Sequence, residues 1–130
     1  MASEKKRILV VDDEESIQFS YQRLFRRENV DVDVCGNLKD TLAMLDATGY
    51  DVVIADLRLS DPDGREGLEI LERVRRLRPE TSVILMTGYG NSDAHERAME
   101  LGVIRYFVKP VEVADLMTLL SRIGIPLESA

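Results

Sequence analysis

The stretch Val52-Val53-Ile54-Ala55-Asp56 is apolar at four successive positions and then ends on a carboxylate. Without polar alternation it suits a strand covered by helices on both faces, the environment of a parallel sheet. Similar β-rich blocks lie at Ile8–Val11, Val30–Cys35, Val83–Met86 and Val103–Val108. Between them run helix-length stretches whose apolar residues recur at spacings of three and four. Ile17, Tyr21, Leu24 and Phe25 share one face of the first. Leu42 and Leu45 mark the second, and Leu68, Leu71, Val74 and Leu77 the third. The fourth carries Ala94, Ala98 and Leu101, and the fifth Leu116, Leu119, Leu120 and Ile123. A βα unit repeated five times predicts an α/β chain, a three-layer sandwich with right-handed crossovers. Gly49, Pro79 and Gly102 fall where the second, third and fourth helices should stop, and Asn91 with Asp93 suits the start of the fourth.

At 130 residues the chain has room for one domain with a sizeable core. A hydrophobic share of 45% beside 32% charged residues argues against disorder and against a membrane protein. The single cysteine, Cys35, excludes an internal disulfide framework and any zinc site built on several thiolates. A net charge of −7 disfavours nonspecific binding to nucleic acid or anionic lipid. The polar start, with no secretory apolar segment after it, makes the cytoplasm the expected location. We expect a flexible start over 1–6, one domain over 7–124 and a loose tail over 125–130.

In a parallel sheet, ligands collect beyond the carboxyl ends of the strands. Those ends carry Asp12 and Asp13 after the first strand, Asp56 after the third, Thr87 after the fourth and Lys109 after the fifth. Carboxylates gathered at one edge repel one another unless a cation sits among them. Oxygen ligands suit a hard ion such as Mg²⁺ (or Mn²⁺), which keeps waters for a phosphate to replace. A hydroxyl and an ammonium beside them complete a set fit for phosphoryl transfer. Singly, each residue is better explained by a solvated turn, a helix cap or a loop lysine. Their convergence on one edge is what carries the reading.

Val10-Val11-Asp12-Asp13-Glu14, Ile54-Ala55-Asp56-Leu57, Met86-Thr87-Gly88 and Tyr106-Phe107-Val108-Lys109-Pro110 together resemble the receiver domains of two-component response regulators. The resemblance runs from about Arg7 to Ile123. It implies a flavodoxin-like (βα)5 fold with strand order 2-1-3-4-5. It implies that Asp56 accepts a phosphoryl group from a sensor histidine kinase or a histidine phosphotransfer protein. Asp12, Asp13, Asp56 and the main-chain carbonyl of Arg58 would then hold Mg²⁺. Thr87 and Lys109 would bind the phosphoryl group, and Thr87 and Tyr106 would act as the switch. The Lys109–Pro110 bond is expected to be cis. Such a chain is a signalling phosphoacceptor that catalyses only its own phosphorylation and dephosphorylation. Its output is expected through the face of the fourth helix, fifth strand and fifth helix, which is also where a phosphorylation-dependent homodimer would form.

Arg58 and Tyr89, two residues beyond Asp56 and Thr87, occupy places that influence hydrolysis in that family, and both are bulky enough to shield a phosphate. The stretch Ser60–Gly67 departs from the family pattern: its proline falls late, and about three residues are inserted, which surface loops tolerate. His95 is expected to face solvent, Cys35 to pack as a small hydrophobe, and Phe19 to stand exposed on the first helix. Two rival functions fare worse. A receiver that binds without being phosphorylated would not need the acidic pair, Asp56, Thr87 and Lys109 together. A flavin carrier needs a phosphate-binding loop where this chain has Asp12-Asp13-Glu14-Glu15.

Overall fold

The computed structural model describes residues 5–56, 65–88 and 92–127. Ten elements alternate along the chain: β1 (Lys6–Val11), α1 (Glu15–Phe25), β2 (Val30–Cys35), α2 (Leu38–Ala47), β3 (Val52–Asp56), α3 (Arg65–Leu77), β4 (Ser82–Thr87), α4 (Ser92–Glu100), β5 (Arg105–Val108) and α5 (Val113–Arg122). All strand pairs are parallel, and the order is β2-β1-β3-β4-β5.

The strands that read as continuously apolar are the central ones. Every residue of β3 is buried, because helices cover the sheet on both faces. Successive side chains point to opposite faces, so the core divides in two. Leu9, Val11, Val53, Ala55, Val83 and Leu85 pack with α2, α3 and α4 through Leu45, Leu71, Val74, Ala94 and Ala98. Ile8, Val10, Val52, Ile54, Ile84 and Met86 pack with α1 and α5 through Phe25, Leu116 and Leu120. Cys35 lies buried in the first of these cores, as a small hydrophobe would.

Local chemistry sets several helix ends. Asn37 caps α2 by accepting from the Asp40 amide at 2.8 Å. Gly102 ends α4 at φ +83°, where any Cβ would be strained, and the Val103 amide returns to the Ala98 carbonyl at 3.1 Å. That closing turn uses up Val103, so β5 starts at Arg105 and not, as the apolar run suggested, at Val103. The chain beyond 124 also departs from expectation. Ile125 and Leu127 are buried in the α1–α5 core, and Arg27 donates to the Leu127 carbonyl at 3.4 Å. Two apolar side chains docking beneath the sheet hold the segment that composition alone marked as loose. Residues 128–130 and residues 1–4 of the start expected to be flexible over 1–6 lie outside the described residues, while Lys6 already opens β1 and pairs with Val30.

Candidate functional site

The register brings the carboxyl ends of β1, β3, β4 and β5 level. Val11 pairs with Ala55, Asp56 with Met86, and Thr87 with Val108. Each next residue therefore leaves the sheet at one edge. Oxygen atoms of Asp12, Asp13 and Asp56 lie within 4.8 Å of one another. Asp12 is fully buried, and Asp56 is nearly so. Thr87, also buried, ends β4 beside them, and its carbonyl accepts from the Lys109 amide at 2.7 Å. The Lys109 ammonium crosses the edge to Asp56 Oδ2 at 3.0 Å and stands 3.8 Å from Asp12 Oδ2. The peptide bond between Lys109 and Pro110 is cis.

Asp12 is fixed at three points. Its amide donates to the Cys35 carbonyl at 3.0 Å. Its Oδ1 accepts from the Glu14 amide at 2.9 Å, and its carbonyl accepts from the Gln18 side chain at 2.6 Å. Its Oδ2 is buried without a hydrogen-bond partner among the described residues. Burial pushes the Asp12 carboxyl above the usual carboxylate range. The Glu14 amide and Lys109 oppose that shift, while the charges of Asp56 and Asp13 add to it. Burial would lower Lys109, but the hydrogen bond to Asp56 and the charges of Asp56, Asp12 and Glu14 outweigh it and raise the ammonium. Among the described residues, the Lys109 ammonium thus faces a surplus of negative charge. Beyond the ion pair with Lys109, the buried Asp12 Oδ2 has no donor among the described residues, a costly feature that a further cation would relieve. The donor set is all oxygen, which fits a hard divalent cation.

A surface cleft of about 500 Å³ opens beside this edge, lined by Asp12, Glu14, Ile17, Tyr21, Met86, Lys109, Pro110 and Val111. Tyr21 donates weakly to the Met86 sulfur at 3.7 Å. Burial and the nearby Asp12 charge both raise its phenol. On the opposite face of β5, Tyr106 is half-buried, and His95 of α4 stacks on it with ring centroids 4.5 Å apart. His95 is exposed, but the ring contact was not legible in the sequence, because α4 and β5 meet only in the fold. Phe19 is exposed on α1, with the Arg23 guanidinium 5.6 Å from its ring centroid. Gln18 carries no apolar or acidic signature, so nothing local in the chain singles it out. Arg58, Tyr89 and most of the Ser60–Gly67 stretch lie outside the described residues.

Residues 8–121 match the sequence profile described as the response regulator receiver domain. The chain belongs to that family. Among curated relatives, the receiver is 29% identical over 117 residues to response regulator protein PilR of Pseudomonas aeruginosa, covering 90% of this chain and 26% of PilR. It is 28% identical over 124 residues to sporulation initiation phosphotransferase F of Bacillus subtilis, covering 95% of this chain and 97% of that one. It thus spans about a quarter of the first relative and nearly all of the second. Among solved structures, it resembles a CheY-like receiver domain from Methanospirillum hungatei with a TM-score of 0.81 and 29% identity, covering 91% of this chain and 92% of that one. Receivers of this family serve two-component systems, and this one carries the acidic cluster at the expected edge. Among the described residues, no helix is long and apolar enough to cross a membrane.

Proposed function

We propose that this receiver accepts a phosphoryl group on Asp56 from a phosphohistidine, supplied by a sensor histidine kinase or a histidine phosphotransfer protein. The observation that carries the reading is the Asp56 carboxylate held 3.0 Å from Lys109 at the same edge as Asp12 and Asp13. An Asp56 oxygen attacks phosphorus, the P–O bond forms, and the P–N bond breaks, leaving the pair of electrons on the imidazole nitrogen. Lys109, already oriented by Asp56, meets the charge on the phosphoryl oxygens, and the Thr87 hydroxyl donates to one of them. Asp12, Asp13 and Asp56, with the main-chain carbonyl of Arg58, are the residues that would hold Mg²⁺ or Mn²⁺. When bound, that ion neutralises charge on the transferred group.

The group added to Asp56 competes for Lys109 and draws Thr87 toward it. Tyr106 responds by repositioning, which alters the face of α4, β5 and α5. Exposed Met99, Ile104, Val108 and Val113 lie on these elements or the turn between them and suit contact with a partner or a second copy. A hydrolysis-modulating role for Arg58 and Tyr89, two residues beyond Asp56 and Thr87 in the sequence, predicts that Arg58→Ala or Tyr89→Ala shortens the phosphoryl half-life. The reading is of a cytoplasmic signalling module whose only chemistry is its own modification.

The test is intact-mass measurement after incubation with a small phosphodonor and Mg²⁺, with Asp56→Asn in parallel. One Mg²⁺-dependent phosphate on the native chain and none on the variant is expected. A folded native chain that binds Mg²⁺ yet gains no mass would overturn the reading.

A further inference from the structure

We infer that Gln18 is a positioning residue for the cation site, acting on Asp13 through the Asp12–Asp13 peptide; this rests on the metal reading above. Gln18 lies one turn into α1, and its Nε2 donates to the Asp12 carbonyl at 2.6 Å. A peptide unit is planar, so holding the Asp12 carbonyl fixes the direction of the Asp13 amide and Cα as well. Asp12 has two other anchors, the Cys35 carbonyl on its amide and the Glu14 amide on its Oδ1. Asp13 is exposed, and its approach to the other two carboxylates depends on how the peptide before it is turned. Gln18 is the side chain that holds that peptide.

Gly36 provides a second, independent sign of the same arrangement. A Cβ there would stand 3.0 Å from the Gln18 Nε2, 3.6 Å from the Asp12 carbonyl oxygen and 3.9 Å from the Asp13 Cα. Gly36 is not among the glycines with positive φ, so what its missing side chain supplies is space. That space lies where the Gln18 amide meets the Asp12 carbonyl. The group a new methyl would meet most closely is the end of a flexible side chain, which can move aside. The fold should therefore tolerate Gly36→Ala while the Gln18 amide is displaced. Partners that orient ligating groups typically change metal affinity by about 10- to 100-fold when removed.

The experiment is calorimetric titration of the full chain with Mg²⁺, alongside amide shifts from nuclear magnetic resonance. Gln18→Met keeps the length and neutrality of the side chain but removes the donor. It should weaken Mg²⁺ binding about tenfold and shift the Asp13 amide resonance, leaving that of Asp51 at the far end of the sheet in place. Gly36→Ala should weaken binding in the same direction. The double variant should bind no worse than Gln18→Met alone, because the two act through one hydrogen bond. Mg²⁺ affinity of Gln18→Met equal to that of the native chain would overturn the inference, and so would simple additivity in the double variant. If Gln18→Met fails to fold, unchanged Mg²⁺ affinity in Gly36→Ala overturns it by itself. A native chain that binds no Mg²⁺ would instead sink the metal reading on which the inference stands.

Discussion

The two ends of the sheet treat their acidic side chains in different ways. At the amino end, groups close on one another. Asp51 accepts from the Arg7 amide at 2.8 Å, and the buried Thr81 hydroxyl donates to the Tyr50 carbonyl at 2.6 Å. Arg75 donates to the Thr81 carbonyl at 2.7 Å, while the Tyr50 hydroxyl reaches Asp33 at 2.6 Å. At the carboxyl end, Asp12 Oδ2 is buried with no hydrogen-bond partner among the described residues, and the cluster around it shares one ammonium. Satisfied bonds of the first kind stabilise; a buried carboxylate oxygen with no hydrogen-bond donor costs stability and keeps a lone pair for a cation. The difference separates the part of the molecule that holds the fold from the part where we propose phosphoryl transfer.

The largest expected effect bears on Lys109, the ammonium paired with Asp56 at the carboxyl end. Lys109→Ala should slow phosphorylation by a small donor by about 100-fold, the scale of losing one positioned charge-stabilising group. Intact mass followed over time measures it, and a rate near that of the native chain would remove Lys109 from the chemistry. Next comes Asp12→Asn, which should break the contrast between the two ends. It should weaken Mg²⁺ binding at least about tenfold. In metal-free buffer it should also raise stability by about 1 kcal/mol, roughly 4 °C in Tm for a domain of this size. A variant less stable than the native chain without metal would mean that Asp12 is held there for structure.

Substitutions at the amino end should do the reverse. Tyr50→Phe should cost about 1 kcal/mol in urea unfolding, the usual worth of one internal hydrogen bond, and leave Mg²⁺ affinity unchanged. Tyr50 also sharpens the comparison through pH. Burial, followed by the bond to Asp33 and its charge, raises its phenol well above the ordinary value of 10.0. The unfolded chain then loses this proton near pH 10 while the folded chain keeps it. Stability from this group is complete below pH 10 and is lost as pH rises toward the folded value. Between pH 9 and 11 the native chain should therefore lose stability more steeply than Tyr50→Phe, by up to about 1.4 kcal/mol per pH unit.

Much of this was legible in the sequence because period and punctuation are local. Continuous apolar runs marked the buried strands, three- and four-residue spacing marked the helices, and the carboxylates after Val11 and Ala55 fell at strand ends by simple order along the chain. What the sequence alone determined was therefore the parallel α/β layout, the edge at which Asp12, Asp13, Asp56, Thr87 and Lys109 gather, and, through motif resemblance, the strand order. Tertiary structure decided the rest. The burial of Ile125 and Leu127, the stacking of His95 on Tyr106 and the hold of Gln18 on the Asp12 carbonyl each join elements separated by a turn or by most of the chain. No local pattern encodes such pairs, because they depend on which side chains the packed layers bring within hydrogen-bond or van der Waals reach.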